Sequence, residues 1–167
     1  LDACAAPGGK STHIAACIDE NSLIVSNEII RNRAMILSEN IQKWGNQNTI
    51  VTNGDPKHFG KLNGYFDAII VDAPCSGEGM FRKDETAINE WSLNNIQPCI
   101  ERQKQILSDV WNSLKEDGIL FYSTCTFNTK ENEEVAKWVI DELGAKSIKI
   151  EIDNTWGITP ILRNEVH

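Results

Sequence analysis

A chain of 167 residues with 16 Lys and Arg against 24 Asp and Glu carries a formal charge of −8, and 41% of its residues are hydrophobic. A chain of this size buries roughly two-thirds or more of the surface its unfolded form exposes, so one core suffices without disulfides or structural metal. Apolar residues spread along the whole chain exclude a disordered polymer, the lack of ~18 consecutive apolar residues excludes a membrane helix, and the acidic balance argues against a free-standing nucleic-acid binder.

Taken in chain order, short apolar runs alternate with longer helical patterns. Leu23–Val25, Thr49–Val51, Phe66–Val71 and Gly118–Tyr122 read as strands, with a weaker candidate at Ile148–Ile152. Helical spacing covers about 10–17, 30–44, 98–116 and 130–142. In the second of these Ala34, Leu37, Ile41 and Trp44 repeat every three or four residues. In the third Ile100, Ile106, Leu107, Val110, Trp111 and Leu114 do so. Strands separated by helices predict parallel pairing with right-handed crossovers, a doubly wound α/β fold in one domain over 1–167. Leu1-Asp2-Ala3 reads as the end of a strand with nothing before it. The expectation is therefore a fragment that lacks the start of its first strand. With no basic leader before an apolar stretch, the expected location is the cytoplasm.

Cys4, Cys17, Cys75, Cys99 and Cys125 form no CxxC pair and no zinc-like spacing with histidine, so neither a disulfide framework nor a metal site is expected. Cys17 and Cys99 are assigned to packing. The other three lie in loops that carry further signals.

The run Asp2-Ala-Cys-Ala-Ala-Pro-Gly-Gly-Lys-Ser11 leads from a strand end through small residues into a helix. Gly8 and Gly9 allow a ligand to approach the backbone, and the helix N-terminus beyond offers free N–H groups. A phosphate-binding P-loop would need glycine where Cys4 stands, and the GxGxxG fingerprint of dinucleotide sites is absent. Glu28 follows the second strand, 20 residues after Gly8, where doubly wound folds place a carboxylate on ribose hydroxyls. Asp55 follows the third strand, within a turn-forming Asn-Gly-Asp-Pro, and Asp72 ends the fourth. Acids at three successive strand ends point to an adenosine-containing ligand with little phosphate. Asp72-Ala-Pro-Cys-Ser-Gly-Glu-Gly79 and Tyr122-Ser-Thr-Cys-Thr126 each set a cysteine just past a strand end, at that same edge. Cys125 also precedes a helix start rich in caps and acids, a setting that lowers a thiol pKa while the acids oppose it.

These motifs, in this order, resemble the S-adenosylmethionine-dependent RNA cytosine-C5 methyltransferases of the Sun/nucleolar-protein family. The run Gly79-Met-Phe-Arg-Lys-Asp84 with Glu90-Trp91 is similar to the bacterial branch that modifies small-subunit ribosomal RNA. The resemblance covers residues 1 to about 140. It implies a Rossmann-like class I methyltransferase fold with S-adenosylmethionine as cofactor. It implies covalent catalysis, in which a cysteine adds to cytosine C6 and makes C5 nucleophilic toward the sulfonium methyl. On that pattern Cys125 is the nucleophile, Cys75 assists product release, and Asp72 hydrogen-bonds the base near N3 and supports protonation. Cys4, Ala5, Ala6, Pro7, Gly8, Gly9 and Lys10 surround the methionine moiety, Glu28 the ribose and Asp55 the adenine, with Asp72 beside the reacting methyl. Lys10 either holds a carboxylate of the ligand or supports Asp72. The resemblance also implies an RNA partner, ribosomal by branch, bound by flanking domains outside this chain, and a final strand hairpin beyond it.

Two other readings compete. A DNA cytosine-C5 methyltransferase would use the Pro-Cys residue, Cys75, as nucleophile. A module that only binds cofactor would lack turnover. Trp44, Trp111 and Trp138 are expected in the core, and Arg31 and Arg33 at a solvated helix start. Phe81, Arg82 and Trp91 either touch RNA or anchor their loop.

Overall fold

Leu1–Ala3 lie in the middle of a parallel sheet rather than at its margin. The computed structural model describes residues 1–83 and 85–157. On one side Asp2 N–H donates to Val25 O at 2.8 Å and Asn27 N–H to Asp2 O at 2.8 Å. On the other, Ala3 N–H donates to Ile70 O at 2.9 Å and Ile70 N–H to Leu1 O at 2.7 Å. Outside these neighbours stand β1 (Ile24–Asn27) with β2 (Thr49–Thr52), and β3 (Phe66–Asp72) with β4 (Leu114–Ser123), every pairing parallel. The order is β2, β1, Leu1–Ala3, β3, β4. Winding thus reverses between Leu1–Ala3 and β3, and at such a switch point the loops leaving the two strands splay apart into a crevice.

The helices are α1 (Gly9–Cys17), α2 (Arg31–Trp44), α3 (Glu85–Glu90), α4 (Ile96–Trp111) and α5 (Glu133–Leu143). One core cluster joins Leu1, Ala3, Ile69 and Val71 to Ile100, Leu107 and Val110 of α4 and Val135 and Val139 of α5. A second joins Ala5 and Ala6 of the first loop to Leu37 and Ile41 of α2. The apolar stripes predicted on α2 and α4 are the buried faces of both helices, because burying each such side chain contributes ~1.5–3 kcal/mol and sets which way the helix turns.

Four local expectations are corrected. Trp44 keeps the helical spacing but is 55% exposed, because it occupies the last turn of α2, beyond the sheet. The third helix stops at Trp111, not at 116. Ser113 N–H and its hydroxyl both turn back to Val110 O, and Leu114 pairs with Phe66 as the first residue of β4. Its apolar side chain satisfies a helical or a strand period equally well. The register then jumps from Phe66↔Leu114 to Ala68↔Ile119, with Lys115–Gly118 bulging out and Asp117 at φ 60°. Finally, residues 148–152 form no strand. Their alternation is real, but no described strand lies beside them, and Ile148, Ile150 and Ile152 are exposed. Cys17, expected to pack, is exposed at the end of α1.

Candidate active site

The loop after Leu1–Ala3 is built by its neighbours. Ala5 N–H donates to Asn27 O at 2.8 Å, Arg33 Nη2 to Ala6 O at 2.9 Å, and Asn40 Nδ2 to Pro7 O at 2.7 Å. Gly8, at φ 111°, is the residue from which α1 starts, a conformation costly for any side chain. These bonds leave a cavity of about 270 Å³ lined by Asp2, Cys4, Ala5, Ala6, Pro7, Gly9, Lys10 and Asp72. It opens at the switch point.

Beneath the loop runs a buried polar chain. Ser26 Oγ donates to Ser11 Oγ at 2.8 Å, and Ser11 Oγ to Asp2 Oδ2 at 2.7 Å. Asp2 is 1% exposed, burial pushes its carboxyl pKa up, and its Oδ1 has no partner among the described residues. An orphaned carboxyl oxygen at the wall of a cavity fits a ligand that brings a hydrogen-bond donor.

Glu28 is buried at the end of β1. Its Oε1 accepts from Ile30 N–H at 2.9 Å, and Oε2 pairs with Arg33 at 3.3 Å. Arg33 therefore ties the Glu28 carboxylate to the Ala6 carbonyl while its side chain stays half exposed, and Arg31 is exposed as well, so both stand at a solvated helix start as expected. Asp55 follows β2, the strand next to β1. It caps the turn Pro56–Lys61 through Lys57 N–H at 3.1 Å and pairs with Lys57 Nζ at 2.9 Å, which holds its carboxyl below the usual range. Asn27, fully buried, joins these ends: its Oδ1 accepts from Thr52 Oγ1 and Gly54 N–H, and its Nδ2 donates to Ala3 O and Gly54 O.

Across the crevice Asp72 is held at both oxygens, by Lys10 Nζ at 2.7 Å and Ser123 Oγ at 2.9 Å. Lys10, which also lines the cavity, thus makes an ion pair with Asp72. The two loop cysteines meet beyond it. Cys75 Sγ and Cys125 Sγ are 3.1 Å apart, and Cys125 N–H points at Cys75 Sγ at 3.4 Å. Gly79 N–H donates to Cys125 O at 2.7 Å, Phe127 N–H donates to Glu78 Oε2 at 3.0 Å, and the Ser76 and Thr126 hydroxyls are 3.1 Å apart. Since α5 begins at Glu133, the facing loop, not a helix end, holds Cys125. Phe81 stands edge-on to Trp91 at 6.2 Å, and Trp91 packs on the main core, so this pair anchors the loop.

Burial, and then the neighbouring Cys125, push the Cys75 thiol up to about 12, and burial does the same to Cys4. At pH 8 such a thiol is ~10⁻⁴ thiolate, and the thiolate is what alkylates. Iodoacetamide at pH 8 is therefore expected to modify the exposed Cys17 and Cys125 first, with Cys4 and Cys75 lagging by more than about tenfold. Mass mapping of a time course checks this, and equal rates at Cys75 and Cys125 would contradict it.

Residues 1–160 match the family described as 16S rRNA methyltransferase RsmB/F. The chain belongs to this family. The RsmB/F relatives include a ribosomal RNA small subunit methyltransferase F from Psychromonas ingrahamii, 46% identical over 143 residues that make up 85% of this chain and 30% of that protein. One from Vibrio cholerae is 41% identical over 152 residues, 90% of this chain and 32% of that protein. Among solved structures, NSun6 from Pyrococcus horikoshii with SFG superposes with a TM-score of 0.74 at 33% identity, over 83% of this chain and 35% of that one. A methyltransferase homolog protein from the same organism gives 0.71 at 33%, over 84% and 44%. The chain thus spans about a third of the length of the curated relatives it matches. The resemblance read from the motifs is borne out at the level of family and fold.

Several contacts that shape this RsmB/F site are not legible in the sequence. Asp2, Ser11 and Ser26 carried one faint signal, an acid nine residues before a serine at a helix start. Arg33, Gln103 and Glu131 carried none, since each acts on a residue remote in the chain.

Proposed function

We propose that the protein containing this chain transfers a methyl group from S-adenosylmethionine to C5 of a cytosine in RNA, small-subunit ribosomal RNA by analogy with its relatives. The observation that carries this reading is the pair of thiols 3.1 Å apart, borne by the loops that follow the strand ends at Asp72 and Ser123, while Asp72 itself, bonded to Lys10, lines the cavity. Two sulfurs at one point suit a reaction that must both make and break a bond to C6. NSun6, a structural neighbour, was solved with SFG, an S-adenosylmethionine analogue, which supports the cofactor.

Cys4 to Lys10 would hold the methionine portion, with the orphaned Asp2 Oδ1 at the cavity wall as an added acceptor. Glu28 would receive the ribose hydroxyls, with Arg33 fixing its carboxylate, and Asp55 would lie toward the adenine. When bound there, S-adenosylmethionine supplies an electrophilic methyl group.

Cys125 Sγ adds to C6 of the cytosine, and the electron pair of the C5–C6 double bond moves toward C5. The proton lost by the Cys125 thiol is taken up at N3 as the electron pair shifts through C4, and Asp72, its carboxylate oriented by Lys10 and Ser123, accepts a hydrogen bond from the N3–H so formed. After methylation the C5 proton leaves to a base, the C5–C6 double bond re-forms, and the C6–S electron pair returns to Cys125. Cys75, still protonated at neutral pH, donates a hydrogen bond to the departing sulfur.

Residues 1–167 then serve as one catalytic domain, and RNA is gripped by parts of the protein outside it. The charge of −8 fits such a division, since phosphate binding needs a basic surface. Work on ribosomal RNA would place the protein in the cytoplasm. No described helix is long and apolar enough to cross a membrane. The test is transfer of labelled methyl by the intact reading frame to small-subunit ribosomal RNA, with the product mapped as 5-methylcytosine. Label on another base, or a preference for DNA, would refute it. Residues 1–167 alone are expected to bind S-adenosylhomocysteine weakly or not at all in calorimetry and to transfer little methyl. Efficient methylation by that segment would overturn the division of labour.

A further inference from the structure

Glu131 is fully buried, and no cation lies in salt-bridge range of its carboxylate among the described residues. Its Oε2 instead accepts two hydrogen bonds, from Ser76 N–H at 2.9 Å and Gln103 Nε2 at 2.9 Å, while Oε1 has no partner. Gln103, the one polar residue on the buried stripe of α4, also donates to Pro74 O at 3.0 Å. Pro74 and Ser76 are the two residues that flank Cys75. Backbone groups on either side of that thiol are therefore fastened to one carboxylate and one amide inside the core. Taking a carboxylate out of water is costly, and the bonds it makes here converge on this single short segment.

Cys125 touches this segment through its N–H toward Cys75 Sγ and through the Ser76 and Thr126 hydroxyls, but it also has supports of its own. Its carbonyl accepts from Gly79 N–H, Thr124 Oγ1 donates to Asn132 Oδ1 at 2.6 Å, and Asn132 Nδ2 donates to Thr126 O at 3.0 Å. Glu131 itself is anchored through its backbone, where Tyr122 Oη donates to Glu131 O at 2.6 Å. A change confined to its side chain thus frees the Cys75 segment and leaves these supports of Cys125 in place.

We propose that Glu131 is the positioning residue for Cys75: it clamps the Pro74–Ser76 segment against α4 through Gln103, and so governs release of the methylated base rather than formation of the covalent adduct. The inference rests on the roles of Cys75 and Cys125 proposed above. In the intact reading frame, Glu131→Gln keeps the volume but replaces one acceptor oxygen by an NH2 donor. Gln103→Met keeps the length and removes the bridge to Pro74. With labelled cytosine-containing RNA and S-adenosylmethionine, covalent complex is followed on denaturing gels.

Both variants are expected to form adduct within about twofold of the parent rate and to release it about tenfold more slowly, so that adduct accumulates. Adding Glu131→Gln to Cys75→Ala is expected to slow release no further, because the clamp acts through that thiol. Formation and release falling together, or additive slowing in the double variant, overturns the proposal. So does loss of cooperative unfolding in both variants, which would make the network a requirement of the fold. If Cys75→Ala itself accumulates no adduct, the assignment of the cysteines has failed. If it does and Glu131→Gln does not, the positioning role alone has failed.

Discussion

Cys125→Ala is expected to abolish both turnover and the covalent RNA complex, whereas Cys75→Ala is expected to trap RNA on the protein. The difference follows from the places of the two sulfurs. Cys125 is exposed, so C6 of an extruded cytosine can reach it. Cys75 lies half-buried behind it, and its thiol is pushed up to about 12, which leaves it a poor nucleophile and a serviceable hydrogen-bond donor at neutral pH. Removing the nucleophile costs about 10³-fold or more in rate. Removing the group that assists elimination costs about 10²-fold in release and little in addition, so adduct builds up. Labelled RNA that stays with the protein through a denaturing gel measures both, and the double variant should show none. A trapped complex in Cys125→Ala, with none in Cys75→Ala, would exchange the two roles and favour the mechanism of the DNA enzymes.

The second large effect is expected at Gly79. A Cβ there would stand well inside van der Waals contact of the Cys125 carbonyl oxygen, with Cys125 Cβ only 3.6 Å away. The obstacle is backbone, so it cannot swing aside as the tip of a flexible side chain would. Gly79→Ala must push the two cysteine loops apart and weaken the bond from Gly79 N–H to Cys125 O. Overpacking of this kind costs about 1–3 kcal/mol, or a fall in Tm of a few degrees for a domain of this size. Activity is expected to fall further, by about 10²-fold, because a displacement near 1 Å between reacting groups has that effect. Thermal unfolding and methyl transfer, measured together, separate the two contributions. A variant with lowered Tm and parent activity would show that the approach of the loops does not matter to the chemistry.

Much of the site was legible because its signals are local. Small residues with paired glycines after a strand, acids and cysteines at strand ends, and a period of three to four in α2 and α4 depend on a few neighbouring residues. They yield loop, crevice edge and buried face without knowledge of the rest. Ambiguity entered where one pattern satisfies two structures. Leu114 suits the end of a helix or the start of a strand, and Ile148–Ile152 alternates as a strand would but has no described strand to pair with.

The sequence by itself determined the strands β1 to β4, the helices α1, α2, α4 and α5, their parallel winding, the small-residue loop at Cys4 to Lys10 and the two cysteine motifs, since each follows from backbone preference and short-range periodicity. Only the tertiary structure decided that Leu1–Ala3 is the centre of the sheet, that Lys10 holds Asp72, that Arg33 joins Glu28 to the loop, that Glu131 and Gln103 grip the segment around Cys75, and that the two sulfurs lie 3.1 Å apart. Nearly all of these contacts join residues tens of positions apart. The charge or donor that completes each one is supplied by a different element, and no local rule of spacing records which element that is.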